Sequence, residues 1–144
     1  MKYILFAFFI LSAFRLYGQQ APANAIQVTP EAIAWKEGSA SLPAGTKVAV
    51  LEGNPKQEGM FTMRVWLPAG AVLRPHTHPR EERVTVMEGR VYVAFAETLD
   101  WTQGTAFNAS SFYVNPPGAT HFVWTNDGAV VQITGMGPWE ISFK

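Results

Sequence analysis

The chain has 144 residues, with 11 basic and 11 acidic side chains and a formal net charge of zero. That balance, with no lysine run or basic patch, excludes a nucleic-acid partner held by charge. Apolar residues make up 48% and cysteine is absent, which excludes a disordered chain and a disulfide-stapled one. The length suits a single domain with one core.

Residues 1–20 read as a secretory signal peptide: Lys2 gives a positive start, and Tyr3–Phe14 is an apolar run broken only by Ser12. The run is shorter than the roughly 20 apolar residues a spanning helix needs, so a cleaved leader is expected, with the cut after Gly18 or within Ala21–Ala25. Losing residues 1–18 removes Lys2 and Arg15 and leaves 9 basic against 11 acidic residues, a net of −2. The expected location is exported, periplasmic or secreted, without stable membrane insertion after cleavage.

Residues 21–45 read as an N-terminal arm, part helical and part extended. Thr29-Pro30-Glu31 has the chemistry of a helix start, which predicts one or two turns over Glu31–Glu37 before Gly38. From residue 46 to 144 the texture is strand and turn. Strands are predicted at Thr46–Leu51, Met60–Leu67, Arg83–Met87 and Arg90–Glu97, the last two joined by a tight turn at Glu88-Gly89. Shorter ones follow near Thr105–Phe107, Ser111–Val114, Thr120–Thr125 and Ala129–Thr134. Asn126-Asp127-Gly128 reads as a hairpin turn, and Trp139–Phe143 as a segment closing a sheet edge. Short strands at this spacing predict an all-β sandwich or barrel.

The chain holds three histidines, and two of them, His76 and His78, are two residues apart with Glu82 four residues further on. Side chains on an extended strand alternate faces, so the two imidazoles share a side. Glu82 has the parity of Val84 and Val86, which favours it over Glu81 as the inward carboxylate. The third, His121, follows a second turn, Pro116-Pro117-Gly118. Three imidazoles and a carboxylate suit a divalent transition metal, and donor type does not choose among Fe, Mn, Ni, Cu and Zn. Arg64 lies between Thr62 and Trp66 on one strand face. It is a candidate to hold an anionic substrate, against the commoner role of a surface cation. By the same alternation Phe122 and Trp124 lie opposite His121 and are expected to pack between sheets or subunits.

These motifs resemble those of the cupin superfamily. Gly70, five residues, His76-Thr77-His78, three residues, Glu82, six residues and Gly89 match the first cupin motif at each defining position. The second motif matches at Pro116, Gly118 and His121, while Ser110 stands where its opening glycine is expected and Thr125 where its asparagine is. The resemblance implies a double-stranded β-helix, or jelly roll, with His76, His78, Glu82 and His121 as metal ligands. It leaves open whether the protein is a metal-dependent enzyme of dioxygenase or isomerase type, acting on a small oxygenated molecule, or a non-catalytic metal-binding or sensor module. A small-molecule ligand and a homodimer are the expected partners.

Overall fold

In the computed structural model, residues 21–144 are described; the signal-peptide expectation concerns residues 1–20 and lies outside them. Ten strands run in chain order: β1 (Lys36–Glu37), β2 (Lys47–Glu52), β3 (Gly59–Leu67), β4 (Val72–Thr77), β5 (Glu82–Ala94), β6 (Thr105–Asn108), β7 (Phe112–Asn115), β8 (His121–Trp124), β9 (Ala129–Gly137) and β10 (Ser142–Phe143). All pairings are antiparallel. One sheet carries β1, β2, β3, β9, the first half of β5 and β7; the other carries β6, the second half of β5, β8, β4 and β10. The result is the expected all-β jelly roll.

The two sheets meet at β5, where the Glu88-Gly89 tight turn of the sequence reading is replaced by a bulge in one continuous strand. The β5–β9 register shifts between Val86 and Glu88, and Gly89 takes φ +72°. A Cβ there would run into the carbonyl oxygen of Gly128, so glycine is required both for conformation and for space. The bend sends β5 from β9 and β7 across to β6 and β8.

The Asn126–Gly128 reversal also differs from expectation. It is no hairpin, because β8 pairs with β4 and β5 while β9 pairs with β3 and β5. The local turn chemistry is as read, but the chain crosses between sheets there. The arm forms a 3-10 turn, Pro30–Ala32, instead of a longer helix, and Thr29 makes no side-chain cap. Lys36–Glu37 is instead strand β1, whose backbone groups pair with the edge of β2 at Val48 and Lys47.

Alternation on β3 and β9 is clean. Phe61, Met63, Val65 and Leu67 of β3 and Ala129, Val131 and Ile133 of β9 are buried between the sheets, joined by Val84, Val86, Val91, Val93 and Val123. On the outside of the same sheet Met60, Met136, Met87 and Phe112 stay exposed. Behind the second sheet lies a smaller cluster. Phe122 and Trp124 pack there with Ala94, Tyr92 and Val72, beneath Trp101. These two aromatics therefore lie under the residue 98–104 loop, not between the sheets.

Candidate metal centre

The histidines come from neighbouring positions on β4 and β8, where His76 pairs directly with His121. Alternation from Leu73, which lines the interior, would turn His76 outward. A register shift between Leu73 and His76, at Arg74-Pro75, restores it to the interior. His78 lies one residue past the end of β4, and a short bend over residues 79–81 returns the chain to β5 at Glu82. The second motif closes on the first through Gly118, whose N–H donates to the His78 carbonyl at 2.9 Å.

His76, His78 and His121 are each at most 3% exposed, and their ligand nitrogens lie within 4.8 Å of one another. Each ring is held from behind by a backbone carbonyl: His76 Nδ1 by Arg74 at 2.7 Å, His78 Nδ1 by Glu140 at 2.8 Å, and His121 Nδ1 by Ala119 at 3.0 Å. A carbonyl only accepts, so Nδ1 carries the proton in all three rings. In a neutral ring that leaves the Nε2 lone pair free for the centre of the cluster. His78 Nε2 has no hydrogen-bond partner among the described residues.

Glu82 is 6% exposed, and its Oε2 lies 3.4 Å from His78 Nε2 and 3.8 Å from His121 Nε2. Burial alone would raise its pKa. The close polar contacts of His121 and His78, the charge of His78 and the hydrogen bond donated by Asn115 outweigh that and hold the carboxyl well below its ordinary value. Burial, with the neighbouring His121 and His78, pushes His76 down to about 4. For His78 burial also acts downward, but the close, negatively charged Glu82 carboxylate leaves it raised. The competing carboxylate, Glu81, is paired with Arg83 at 2.6 Å on the surface.

Asn115, the last residue of β7, is a member of the site that the motif spacing does not mark. It is fully buried, and its Nδ2 donates to Glu82 Oε2 at 2.7 Å and to His121 Nε2 at 2.9 Å. Its position next to Pro116 was the available signal. The C-terminal segment also belongs to the site. Trp139 stacks on His78 at 4.5 Å between ring centroids and 16° between planes, Glu140 holds the same ring by its carbonyl, and Phe143 lies 5.5 Å from His76.

Arg64 is not part of this group. Its Nε donates to Gln132 Oε1 at 3.1 Å on the face opposite Met63 and Val65, and it does not line the interior cavity. That cavity, about 400 Å³, lies between the sheets and reaches His76, His78 and Glu82.

The chemistry of the cluster itself suits a divalent cation. An ionised carboxylate, an imidazole nitrogen without a partner and two further imidazole nitrogens converge in one buried cluster. Such a group is expensive to bury without a positive charge at its centre, so the residues fit one.

The sequence profile of the ChrR cupin-like domain matches residues 23–140. The chain belongs to this cupin family. It is also 37% identical over 67 residues to germin-like protein subfamily T member 2 of Arabidopsis thaliana; the match covers 46% of this chain and 30% of that protein, so the chain spans about a third of its relative. Among solved structures, the polyketide cyclase RemF from Streptomyces resistomycificus superposes with a TM-score of 0.69 at 13% identity, covering 81% of this chain and 83% of the other. An RmlC-like cupin from Shewanella frigidimarina gives 0.59 at 18%, covering 75% and 86%. At these identities the two structures are similar in fold alone.

Proposed function

We propose that this cupin is a metal-dependent enzyme acting on a small oxygenated molecule, with His76, His78, Glu82 and His121 as ligands of one divalent transition ion. The observation that carries the reading is the three backbone-locked imidazoles, whose Nε2 atoms converge beside an ionised, buried carboxylate at the wall of a cavity. Three neutral imidazoles and one carboxylate would leave a divalent ion one net positive charge and open positions, as catalytic sites require. Such an ion supplies Lewis-acid activation when bound and, if it is Fe, Mn, Ni or Cu, redox chemistry as well.

The protein's own residues do the rest. The carbonyls of Arg74, Ala119 and Glu140 fix the tautomer and aim of each ring. Asn115 holds one oxygen of Glu82 in place. Trp139 and Phe143 cover two of the imidazoles and keep bulk water from them. Tyr113 lines the cavity, and removal from water, then the charge of Glu82, raise its pKa well above the ordinary value. It therefore stays a phenol and can offer a proton or a hydrogen bond to a bound oxygen. Export fits the apolar leader run at residues 3–14, and cleavage would leave the barrel and its arm.

Metal analysis of protein purified without added metal is the first test, with His76→Ala alongside. About one ion per wild-type chain, and at least tenfold less in the variant, is expected. Equal content in both would sink the four-ligand centre. Dioxygen consumption and product analysis over a panel of diketones, phenols and small acids then tests turnover. Silence across that panel, with tight ligand binding, would replace the enzyme by a binding or sensing module.

A further inference from the structure

The cavity is more selective than its volume suggests. Its walls include Met63, Val65, Val84, Val123, Val131 and Ile133, drawn from β3, β5, β8 and β9. Its buried polar side chains, His76, His78 and Glu82, gather at one place, with Trp139 stacked on His78 and Tyr113 elsewhere on the same lining. The cationic side chain on its lining is Lys56, which is exposed and stands where the arm and the residue 54–57 turn meet solvent. A charge carried into the aliphatic part would lose its water and meet no partner.

Trp139 adds a second observation. Its indole N–H is buried and has no hydrogen-bond partner among the described residues, while its ring lies flat on His78. Indole nitrogen is a donor only, and leaving it unpaired costs free energy. A ligand oxygen that accepts would satisfy it beside the histidine cluster.

The geometry points to a ligand with an uncharged, apolar body that fills the aliphatic cavity and a single accepting oxygen that sits at the histidines under the Trp139 N–H. This deepens the metal-enzyme reading and rests on it only for the chemistry done at that oxygen; the selection of the body belongs to the cavity. Carbonyl compounds and phenols with hydrocarbon bodies are the class. Molecules with a charge at the end away from the histidines are excluded by the walls.

Isothermal titration of the full-length purified protein with three probes tests this, metal content being measured on the same sample. 4-Ethylacetophenone has the body and the acceptor, 4-acetylbenzoate carries a charge at the far end, and 1,4-diethylbenzene lacks the acceptor. The ketone is expected to bind at least about 30-fold more tightly than 4-acetylbenzoate. Trp139→Phe should weaken the ketone about three- to tenfold and leave 1,4-diethylbenzene unchanged. Ile133→Lys, checked for folding by circular dichroism, should shift preference toward 4-acetylbenzoate. Equal or tighter binding of 4-acetylbenzoate by the wild type overturns the proposal. So does no binding of any probe, or a Trp139→Phe variant that weakens ketone and hydrocarbon alike. Metal content in His76→Ala bears on the ion alone, so the two readings fail separately.

Discussion

Strand β8 presents two different interiors on its two faces. His121 and Val123 face inward, Val123 onto the cavity and His121 into the cluster, where the partners are imidazoles, a carboxylate and an amide. Phe122 and Trp124 face the small aromatic cluster, where Trp124 stacks on Tyr92 at 5.0 Å and Trp101 stands edge-on above both. All four residues are buried. The inner face is held by directional bonds that must each be satisfied, the outer by area and shape. A polar centre needs ligands that do not move, and burying the back of the strand supplies that. The rings themselves are aimed by the backbone carbonyls behind them, while the aromatic packing on the outer face holds the strand in the barrel.

Neighbouring substitutions on the two faces should therefore separate metal binding from stability. His121→Ala is expected to lower metal affinity by at least about a hundredfold, read by competition with a chelator, and to change metal-free stability much less. Phe122→Ala should do the reverse. It removes a fully buried ring and should cost about 3–5 kcal/mol by denaturant unfolding, while the folded fraction keeps its metal. If both variants lose metal and stability in the same proportion, the faces are not independent.

Asn115→Leu probes the inner network without touching a proposed ligand. It removes the donor to Glu82 Oε2, and metal affinity should fall about 10- to 100-fold with the circular dichroism spectrum unchanged. Acid acts chiefly on the buried titratable groups of the inner face. His76 is depressed to about 4 from 6.5, so the stability it contributes is full above 6.5 and is lost as pH falls toward 4. Glu82 is depressed below 4.5, so its contribution is lost at still lower pH, while the raised value of His78 partly offsets the first loss. Thermal melts of metal-free protein should fall from pH 6.5 downward, and Glu82→Gln should flatten the part below 4.5. A melting temperature that rises on acidification would contradict this.

The smallest effect is expected outside both faces. Ser110 takes φ +72° where the cupin pattern has glycine, a conformation disfavoured for a residue with a Cβ. Ser110→Gly should stabilise by up to about 1 kcal/mol and leave metal affinity unchanged.

Spacing along the chain determined the strands and the identity of the buried titratable groups. Period-two alternation placed Glu82 with Val84 and Val86 and set Glu81 aside, and both outcomes appear in the fold. Such features depend on residues a few positions apart, and a strand's geometry carries them directly. What lay beyond that range was decided by packing. The Gly89 reversal became a bulge because β5 could continue into a second sheet, and Asp127-Gly128 joined two sheets because β8 and β9 found other partners. Arg64 bonded Gln132, 68 residues away, on the far side of its sheet from the cavity. Asn115, Trp139 and the Glu140 carbonyl entered the site through contacts across 33, 61 and 62 positions in the chain. Donor identity is written in residue type and local period. The bonds that aim those donors, and the walls that select a ligand, come from chain segments that only the closed barrel brings together.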